Sequence, residues 1–476
     1  MVKVAFIQNI AYEYLGLMYL SSILKERGHE VEVFIGNGNK KMLEQVIEYN
    51  PSVVGFSCST GLHKWSLSFA KEIKKSVNAF ILFGGPHPTF FPEIINEPEI
   101  DGVCIGEGEF SLLELSANLS DGKDVSAIKN FWFKSPDGKI IKNEPRPLIE
   151  DLDRQPFPDR DLYYSKYPFL NKSQKAFITA RGCPFNCSFC YNHSLKKIYA
   201  GKGKYVRRRS VGNVITEIKE VSSKYILKTV YIMDDTFTFD KDWIREFFSE
   251  YKKEINLPLI CLIRADMFDE DIAKWLKAAN CIRVFFGIES GDEGLRNNLL
   301  SKGVTDEEIM ITAELLKKYK IPFRTYNMMG LPGETLEQAF KTIDINTRIK
   351  TDYPWCSIFQ PYPKTVLGEF AITMGYFDKN IDLSESSFFK KSFLKSESSR
   401  ELENLQKLFF WAVKFSSLKV FIKKIIKFPS NFIFDILFLI SYGYCYFKSE
   451  NVSIKELIVI GVNNIKRFFF SSSKHV

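Results

Sequence analysis

The chain has 476 residues, 45% apolar and 26% charged, with 65 Lys plus Arg against 57 Asp plus Glu. That length calls for two to four domains of roughly 100–200 residues, and the composition is that of a globular protein with a large core. The net charge of +8 is confined to one end: from Asn404 to Val476 eleven basic residues face three acidic ones. The balanced body excludes a nucleic-acid protein with a basic groove.

The amino-terminal stretch lacks the basic start, unbroken apolar run and cleavage site of a secretory signal, and Glu13 interrupts it. Nine cysteines include one tight triplet, while Cys58, Cys104, Cys261, Cys281 and Cys356 sit in apolar, strand-like surroundings. Both features predict a reducing, cytoplasmic setting and a metal site, not a disulfide framework.

Over residues 1–145, VKVAFIQ, VEVFIG, VVGFSCS, AFILFGG and DGVCIGEGE read as buried strands, separated by helical repeats such as LGLMYLSSILKERG and HKWSLSFAKEIKKSV. This alternation predicts an α/β, doubly wound parallel sheet. Ligands bind such sheets at the carboxyl ends of the strands. Those ends carry Asn9, Ser57, Ser59, Thr60, Gly84, Gly85, Gly106, Glu107 and Gly108, and glycines there let the backbone approach a flat or bulky ligand. His87, between two prolines, reads as a positioning residue and not as a catalyst.

A connector rich in Pro and Asp covers residues 146–172. From 173 to 377 the chain again repeats strand then helix, through KAFITARG, TVYIMDD, LICLIRAD, RVFFGIESG, FRTYNMMGLPGE and CSIFQPYP. That pattern predicts a partial parallel (β/α) barrel whose function collects at the carboxyl ends of its strands. The first strand runs into RGCPFNCSFCYN, which spaces Cys183, Cys187 and Cys190 as CxxxCxxC. Structural zinc normally takes four closed ligands, and here the fourth would have to be His193. Three thiolates on a cubane cluster leave one iron open, whereas four make an electron carrier. Asp234, Asp235, Arg264, Asp266, Glu289 and Ser290 stand at other strand ends. In GLPGET, Gly330 and Gly333 predict a sharp turn with exposed backbone donors, and Glu334 and Thr335 open a helix.

Residues 378–476 form a helical, basic and aromatic region. Over 414–427 one helix would place Phe415, Leu418, Phe421, Ile422, Ile425 and Ile426 on one arc and Lys419, Lys423, Lys424 and Lys427 opposite. The apolar stretch 428–447 is interrupted by Pro429, Asn431 and Asp435, short of the roughly 20 residues of a spanning helix. Two readings stay open: contact with the inner membrane face through 414–447, or packing against the barrel with the lysines solvated.

Two resemblances follow from these motifs. Gly16, Ser57 with Ser59, and Gly84 with Gly85 keep the register of the cobalamin-binding pattern DxHxxG, SxL, GG, with Ala11 and Glu13 in place of its Asp and His. The resemblance implies a cobalamin cradle built from Asn9, Glu13, Gly16, Ser57, Ser59, Thr60, Gly84, Gly85, His87, Gly106, Glu107 and Gly108, with no histidine from the Ala11–Gly16 loop below the cobalt. Glu13 is then a nearby candidate for the lower face. The cysteine motif, with Phe189 before the last Cys, resembles the radical S-adenosylmethionine (SAM) superfamily. It implies a 4Fe–4S cluster on Cys183, Cys187 and Cys190 whose open iron holds SAM. By the same resemblance Phe189, Asp234, Asp235, Arg264, Glu289, Ser290, Gly330 and Gly333 contact SAM. Lys364, in PYPKT, stands where the family commonly has glycine.

Over Val2–Phe377 the order of domains resembles the large cobalamin-binding radical SAM family of methyltransferases and porphyrin-ring cyclases. The implied activity is methylation of an unactivated carbon of a hydrophobic small-molecule or lipid substrate, driven by an external one-electron donor. Oxidative ring cyclisation of the porphyrin-ester type, and an iron–sulfur protein without SAM chemistry, remain alternatives.

Overall fold

Two parallel sheets organise the chain in the computed structural model, which describes residues 1–378, 391–395 and 398–451. Lys455, Glu456, Lys466, Arg467 and Lys474 of the basic tail lie outside the described residues. The chain divides into two units, Met1–Asn171 with Leu195–Tyr205, and Lys172–Ser194 with the residues from Val206 onward.

In the first unit β1 (Lys3–Gln8), α1 (Leu15–Glu26), β2 (Glu30–Ile35), α2 (Lys40–Tyr49), β3 (Val53–Ser57), α3 (His63–Ser76), β4 (Phe80–Gly84), α4 (Pro86–Phe90), β5 (Gly102–Cys104) and α5 (Glu109–Asp121) alternate as expected. The five strands are parallel in the order β2-β1-β3-β4-β5. The order reverses between β1 and β3, and that switch point opens a crevice at the strands' carboxyl ends. Consecutive residues Val4 to Ile7 are all buried, as a sheet covered on both faces requires. The hairpin β6 (Phe131–Lys134) and β7 (Ile140–Lys142) extends this sheet antiparallel, turning at Gly138 with φ +81°. The Pro-rich connector lies along this unit and forms the short helix α6 (Asp161–Tyr164). Asp159 accepts from Ser21 Oγ at 2.6 Å and pairs with Lys25, and Tyr163 Oη donates to Gln8 at 2.7 Å.

The second unit starts with β8 (Gln174–Phe177) and β9 (Ala180–Arg181), runs through the cysteines into α7 (Tyr191–Ile198), and resumes with β10 (Arg207–Arg208), antiparallel to β9. Then follow α8 (Val211–Lys224), β11 (Thr229–Ile232), α9 (Lys241–Glu254), β12 (Leu259–Ile263), α10 (Glu270–Ala278), β13 (Cys281–Glu289), α11 (Asp306–Lys318), β14 (Phe323–Met329), α12 (Leu336–Arg348), β15 (Tyr353–Ile358) and α13 (Val366–Thr373). Six strands lie in the order β8-β11-β12-β13-β14-β15, all parallel, which is the partial barrel. Helix starts are set by local chemistry: Ser210, Asp240, Asp269, Thr305 and Thr335 each accept from a backbone N–H of the first turn.

The carboxyl-terminal helices α14 (Ser399–Lys414), α15 (Lys419–Ile425) and α16 (Phe432–Ser449) do not follow the expected pattern over 414–427. The helix stops at Lys414, where Phe415 turns to φ −124° and ψ 75° and Ser416–Leu418 form a tight turn. Serine is a weaker helix former than the Leu, Lys and Ala around it, and two in succession mark the break. Part of the predicted apolar arc faces inward: Ile422 and Ile426 are buried with Leu405, Phe409 and Ile343. One of the lysines is paired: Lys419 meets Asp344, while Lys423, still exposed, stands 4.8 Å from the Phe340 ring centroid.

The end of α16 closes the amino ends of the barrel strands. Arg324, near the start of β14 and 3% exposed, pairs with Glu450 at 2.7 Å. Glu450 also accepts from Gln174 of β8, Asn451 donates to Thr229 of β11, and Arg283 of β13 donates to the Lys448 carbonyl. Removing one partner of a buried pair strands the other charge. Glu450→Ala should therefore destabilise the second unit by about 3 kcal/mol, read as an earlier urea unfolding transition, while Arg324→Met with Glu450→Leu should recover most of the loss.

Candidate active site at the strand ends

In the second unit the cysteine loop leaves β9 through Gly182, whose φ of +84° suits glycine. Its middle is clamped: Ser188 N donates to the Leu300 carbonyl at 2.9 Å, Ser188 Oγ to the Leu299 carbonyl at 2.6 Å, and Leu367 N to the Ser188 carbonyl at 2.8 Å. Cys183, Cys187 and Cys190 are partly exposed, whereas the other six cysteines are buried. Each sulfur has a polar neighbour. Thr236 Oγ1 lies 3.2 Å from Cys183, Arg264 Nη1 3.7 Å from Cys187 and Asn192 Nδ2 3.8 Å from Cys190. Soft thiolates flanked by donors fit an iron–sulfur cluster, whose potential rises with hydrogen bonds to sulfur. Among the described residues no three His, Cys, Asp or Glu side chains converge as a preassembled metal site. Burial pushes the Cys190 thiol up to about 11, so a metal must displace its proton on binding.

Arg264, just after β12 and 8% exposed, organises the mouth. Its guanidinium stacks 3.6 Å from the Phe185 ring centroid, pairs with Asp266 at 2.8 Å and donates to the Lys302 carbonyl. Lys302 Nζ in turn meets Glu289 Oε1 at 2.8 Å. Glu289 ends β13 with φ +66°, beside a register shift against β14. A non-glycine residue pays for that conformation, and such strain gathers at functional sites. Ser290 is fully buried and its Oγ accepts from Asp292 N.

The two adjacent acids after β11 have separate tasks. Asp234 is 1% exposed and accepts from Thr179 N at 2.7 Å, from Thr179 Oγ1 and from Ala180 N at 3.2 Å, with Arg208 at 3.8 Å. Its carboxylate is thus committed to the segment that leads into the cysteine loop. Asp235 is surface-accessible, with Met233 exposed beside it. Desolvation in the concave mouth raises its pKa, and the Asn192 amide pulls the other way.

Phe189 packs, half-buried, against the apolar cluster that includes Leu300, Leu331 and Phe359. Gly330 and Gly333 turn at φ +75° and +74°, but the expected open donors are taken. Glu334, buried, accepts from Gly330 N at 2.7 Å and Leu331 N at 3.1 Å, and desolvation pushes its carboxyl up to about 7. Thr335, not Glu334, caps α12. Lys364 is exposed at φ +68°, which explains why glycine suits that position.

In the first unit the carboxyl edge is built from small residues. Ser57, Ser59, Thr60, Gly84 and Gly85 are partly exposed, and Gly16 faces open space. Gly85, at φ +93°, lies so close to β3 that a Cβ there would stand 3.2 Å from Cys58 N and O. Such an edge fits a flat macrocycle. Other residues expected there are engaged. A Cβ on Gly106 would overlap the Tyr199 hydroxyl, which accepts from Glu107 N at 2.7 Å, and Glu107 Oε2 accepts from Ile149 N at 3.2 Å. Gly108 sits before α5 against Cys104, and Asn9 follows β1 half-exposed. Glu13 lies beside Tyr164 and buried Arg160.

His87 accepts or donates at Nδ1 with Thr60 Oγ1 at 3.0 Å and stacks on His63, with ring centroids 4.3 Å apart. Residue spacing did not single out His63, Tyr199, Thr236, Asn192 or Lys302. Only His63 carried a signal, as a histidine at the start of the helix after β3.

The B12 binding domain family matches residues 11–116, and the Radical SAM superfamily matches residues 177–345. An uncharacterized methyltransferase of Pyrococcus horikoshii is 33% identical over 367 residues, 75% of this chain and 78% of that protein. An anaerobic magnesium-protoporphyrin IX monomethyl ester cyclase of Rubrivivax gelatinosus is 27% identical, over 72% of this chain and 64% of that protein. Among solved structures, the radical SAM methyltransferase TsrM from Kitasatospora setae with cobalamin and a 4Fe–4S cluster bound has a TM-score of 0.64 at 20% identity, covering 79% of this chain and 78% of that one. The cobalamin-dependent radical enzyme OxsB with aqua-cobalamin and SAM bound has a TM-score of 0.68 at 16% identity, covering 98% and 75%. Fold and matches define a radical SAM enzyme with an amino-terminal B12-binding domain. The chain belongs to the cobalamin-binding radical SAM family that includes methyltransferases and magnesium-protoporphyrin monomethyl ester cyclase-like enzymes, and its cofactors are a 4Fe–4S cluster, SAM and cobalamin.

Two outcomes follow. Gly85→Ala should lose hydroxocobalamin on gel filtration, detected by absorbance, because the Cβ forces β4 away from Cys58. Burial, with the charge of His63, lowers the His87 pKa to about 3. Below its ordinary value of about 6.5 the unfolded chain binds a proton that the folded one refuses, so stability is lost as pH falls from there. The melting temperature of His87→Gln should fall less than that of the wild type on acidification.

Proposed function

We propose that the enzyme methylates an unactivated carbon of a hydrophobic substrate. The observation that carries this reading is the 33% identical relative, described as a methyltransferase, which this chain matches across both domains. Together the bound cofactors supply hydrogen abstraction from an unactivated carbon and carriage of a methyl group.

The protein's part is to hold, orient and dry. Cys183, Cys187 and Cys190 would bind the cluster, with Arg264 and Asn192 donating toward sulfur and Thr236 Oγ1 set against Cys183. Arg264 and Lys302, held by Asp266 and Glu289, border the mouth where the carboxylate of SAM would lie, and Asp235 offers an exposed acid to its ammonium. Phe185 and Phe189 cover the loop, and exposed Met233 gives an apolar wall for substrate. Fixed geometry of this kind supplies most of what orientation can contribute.

Anaerobic reconstitution followed by incubation with methyl-deuterated SAM, a reductant and cell extract should yield a deuterium-bearing product by mass spectrometry. SAM cleavage without deuterium in any product would overturn methyl transfer and favour oxidative cyclisation. The triple variant Cys183→Ala/Cys187→Ala/Cys190→Ala should take up no iron and cleave no SAM. Arg264→Lys should weaken SAM binding to the reconstituted enzyme by about tenfold, since an ammonium replaces neither the stack nor the forked donors.

A further inference from the structure

The solvent face of the second unit is unevenly apolar. Among the described residues, ten of the twenty-one exposed large apolar side chains lie between Phe415 and Tyr444. On α16, Phe432, Ile433, Ile436, Ile440 and Tyr444 recur at helical steps and are 45–70% exposed. The stripe runs about 18 Å at 1.5 Å per residue. The other side of α16, with Phe434, Phe438 and Cys445, is buried. Just before it, Val420, Phe421 and Phe428 are 59–69% exposed. Asn404 of α14 donates to both the Ile426 and Phe428 carbonyls, and Lys407, one turn on, pairs with Asp435, so α15 and α16 rest on the same part of α14.

Charge gives this face a sign. Lys423, Lys424, Lys427 and Lys448 are exposed, and among the described residues no acid pairs with them. The local acids are already used, Asp435 by Lys407 and Glu450 by Arg324.

We propose that this face docks on an anionic lipid bilayer. Apolar side chains set beside uncompensated lysines match the boundary between acyl chains and acidic headgroups. A second copy of the chain pressed on the same face would set lysines against lysines. No helix among the described residues is long and apolar enough to cross a membrane, and the inner face of α16 is committed to protein, so the helix lies on the surface. The inference does not depend on methyl transfer.

Flotation of the full-length protein through a density gradient tests it, with vesicles of phosphatidylcholine alone or mixed with phosphatidylglycerol. The protein should float with the anionic vesicles, far less with the neutral ones, and less again at high salt. Phe432→Ser/Ile436→Ser/Ile440→Ser and Lys423→Glu/Lys424→Glu/Lys427→Glu should each cut the bound fraction at least about tenfold with unchanged circular dichroism. A wild-type chain that floats with neither vesicle overturns the proposal. So do variants that float like the wild type, because binding would then reside elsewhere. Concentration-dependent self-association lost in the apolar variant, without vesicle binding, identifies a second copy as the occupant and also overturns it.

Discussion

The guanidinium of Arg264 is where the cysteine loop, a barrel strand and the charge cluster meet. Burying an arginine costs several kcal/mol unless its donors and charge are matched. Here Asp266 matches the charge, the Lys302 carbonyl takes a donor, the Phe185 ring covers a face, and Cys187 receives the remaining edge. The partners come from its own turn, from the Lys302 segment and from the cysteine loop, so satisfying one cation ties these three together. By holding the Lys302 backbone it also aims Lys302 Nζ at Glu289, which lets β13 end in a left-handed residue. A looser pairing would let Glu289 relax, and the carboxylate would leave the mouth.

Asp234 and Asp235 show how the sheet divides labour between neighbours. Both follow the end of β11, and there Asp234 turns inward, 1% exposed, while Asp235 stays at the surface. The buried one is stabilised by two backbone N–H groups and a hydroxyl, and it draws the Thr179–Ala180 segment against β11 before the cysteines begin. The exposed one meets the Asn192 amide beside the cysteine loop. Resemblance alone treats the pair as equivalent; the geometry buries Asp234 against the segment before the cysteines and leaves Asp235 at the surface.

Both sheets, their strand ends and the cysteine triplet were legible because each is a local pattern: apolar runs of five or six residues, glycines after strands, a fixed thiol spacing. What sequence could not reveal were contacts joining distant positions. Tyr199 reaches Glu107 across 92 residues and fills the space that Gly106 was expected to offer a ligand. Glu334, buried, takes the amides of Gly330 and Leu331, and nothing in GLPGET shows that burial. Lys302 and Thr236 looked like ordinary loop residues until the fold set them beside Glu289 and Cys183.

The carboxyl-terminal helices were misread for a related reason. Projection of 414–427 on a single helix assumes an unbroken repeat, and Ser416 and Ser417 end that repeat, after which the face that packs inward is set by what α12 and α14 offer. Lys419 and Lys407 spend their charge on Asp344 and Asp435, while Arg324 draws Glu450 into the barrel floor. The net charge of this region therefore overstates how much reaches solvent, but what reaches it is one-signed. Among the described residues, pairing consumes the acids of this region, so the lysines left outside face no local counter-charge, and the helix that seals the barrel's amino ends also carries the most apolar stretch of the described surface.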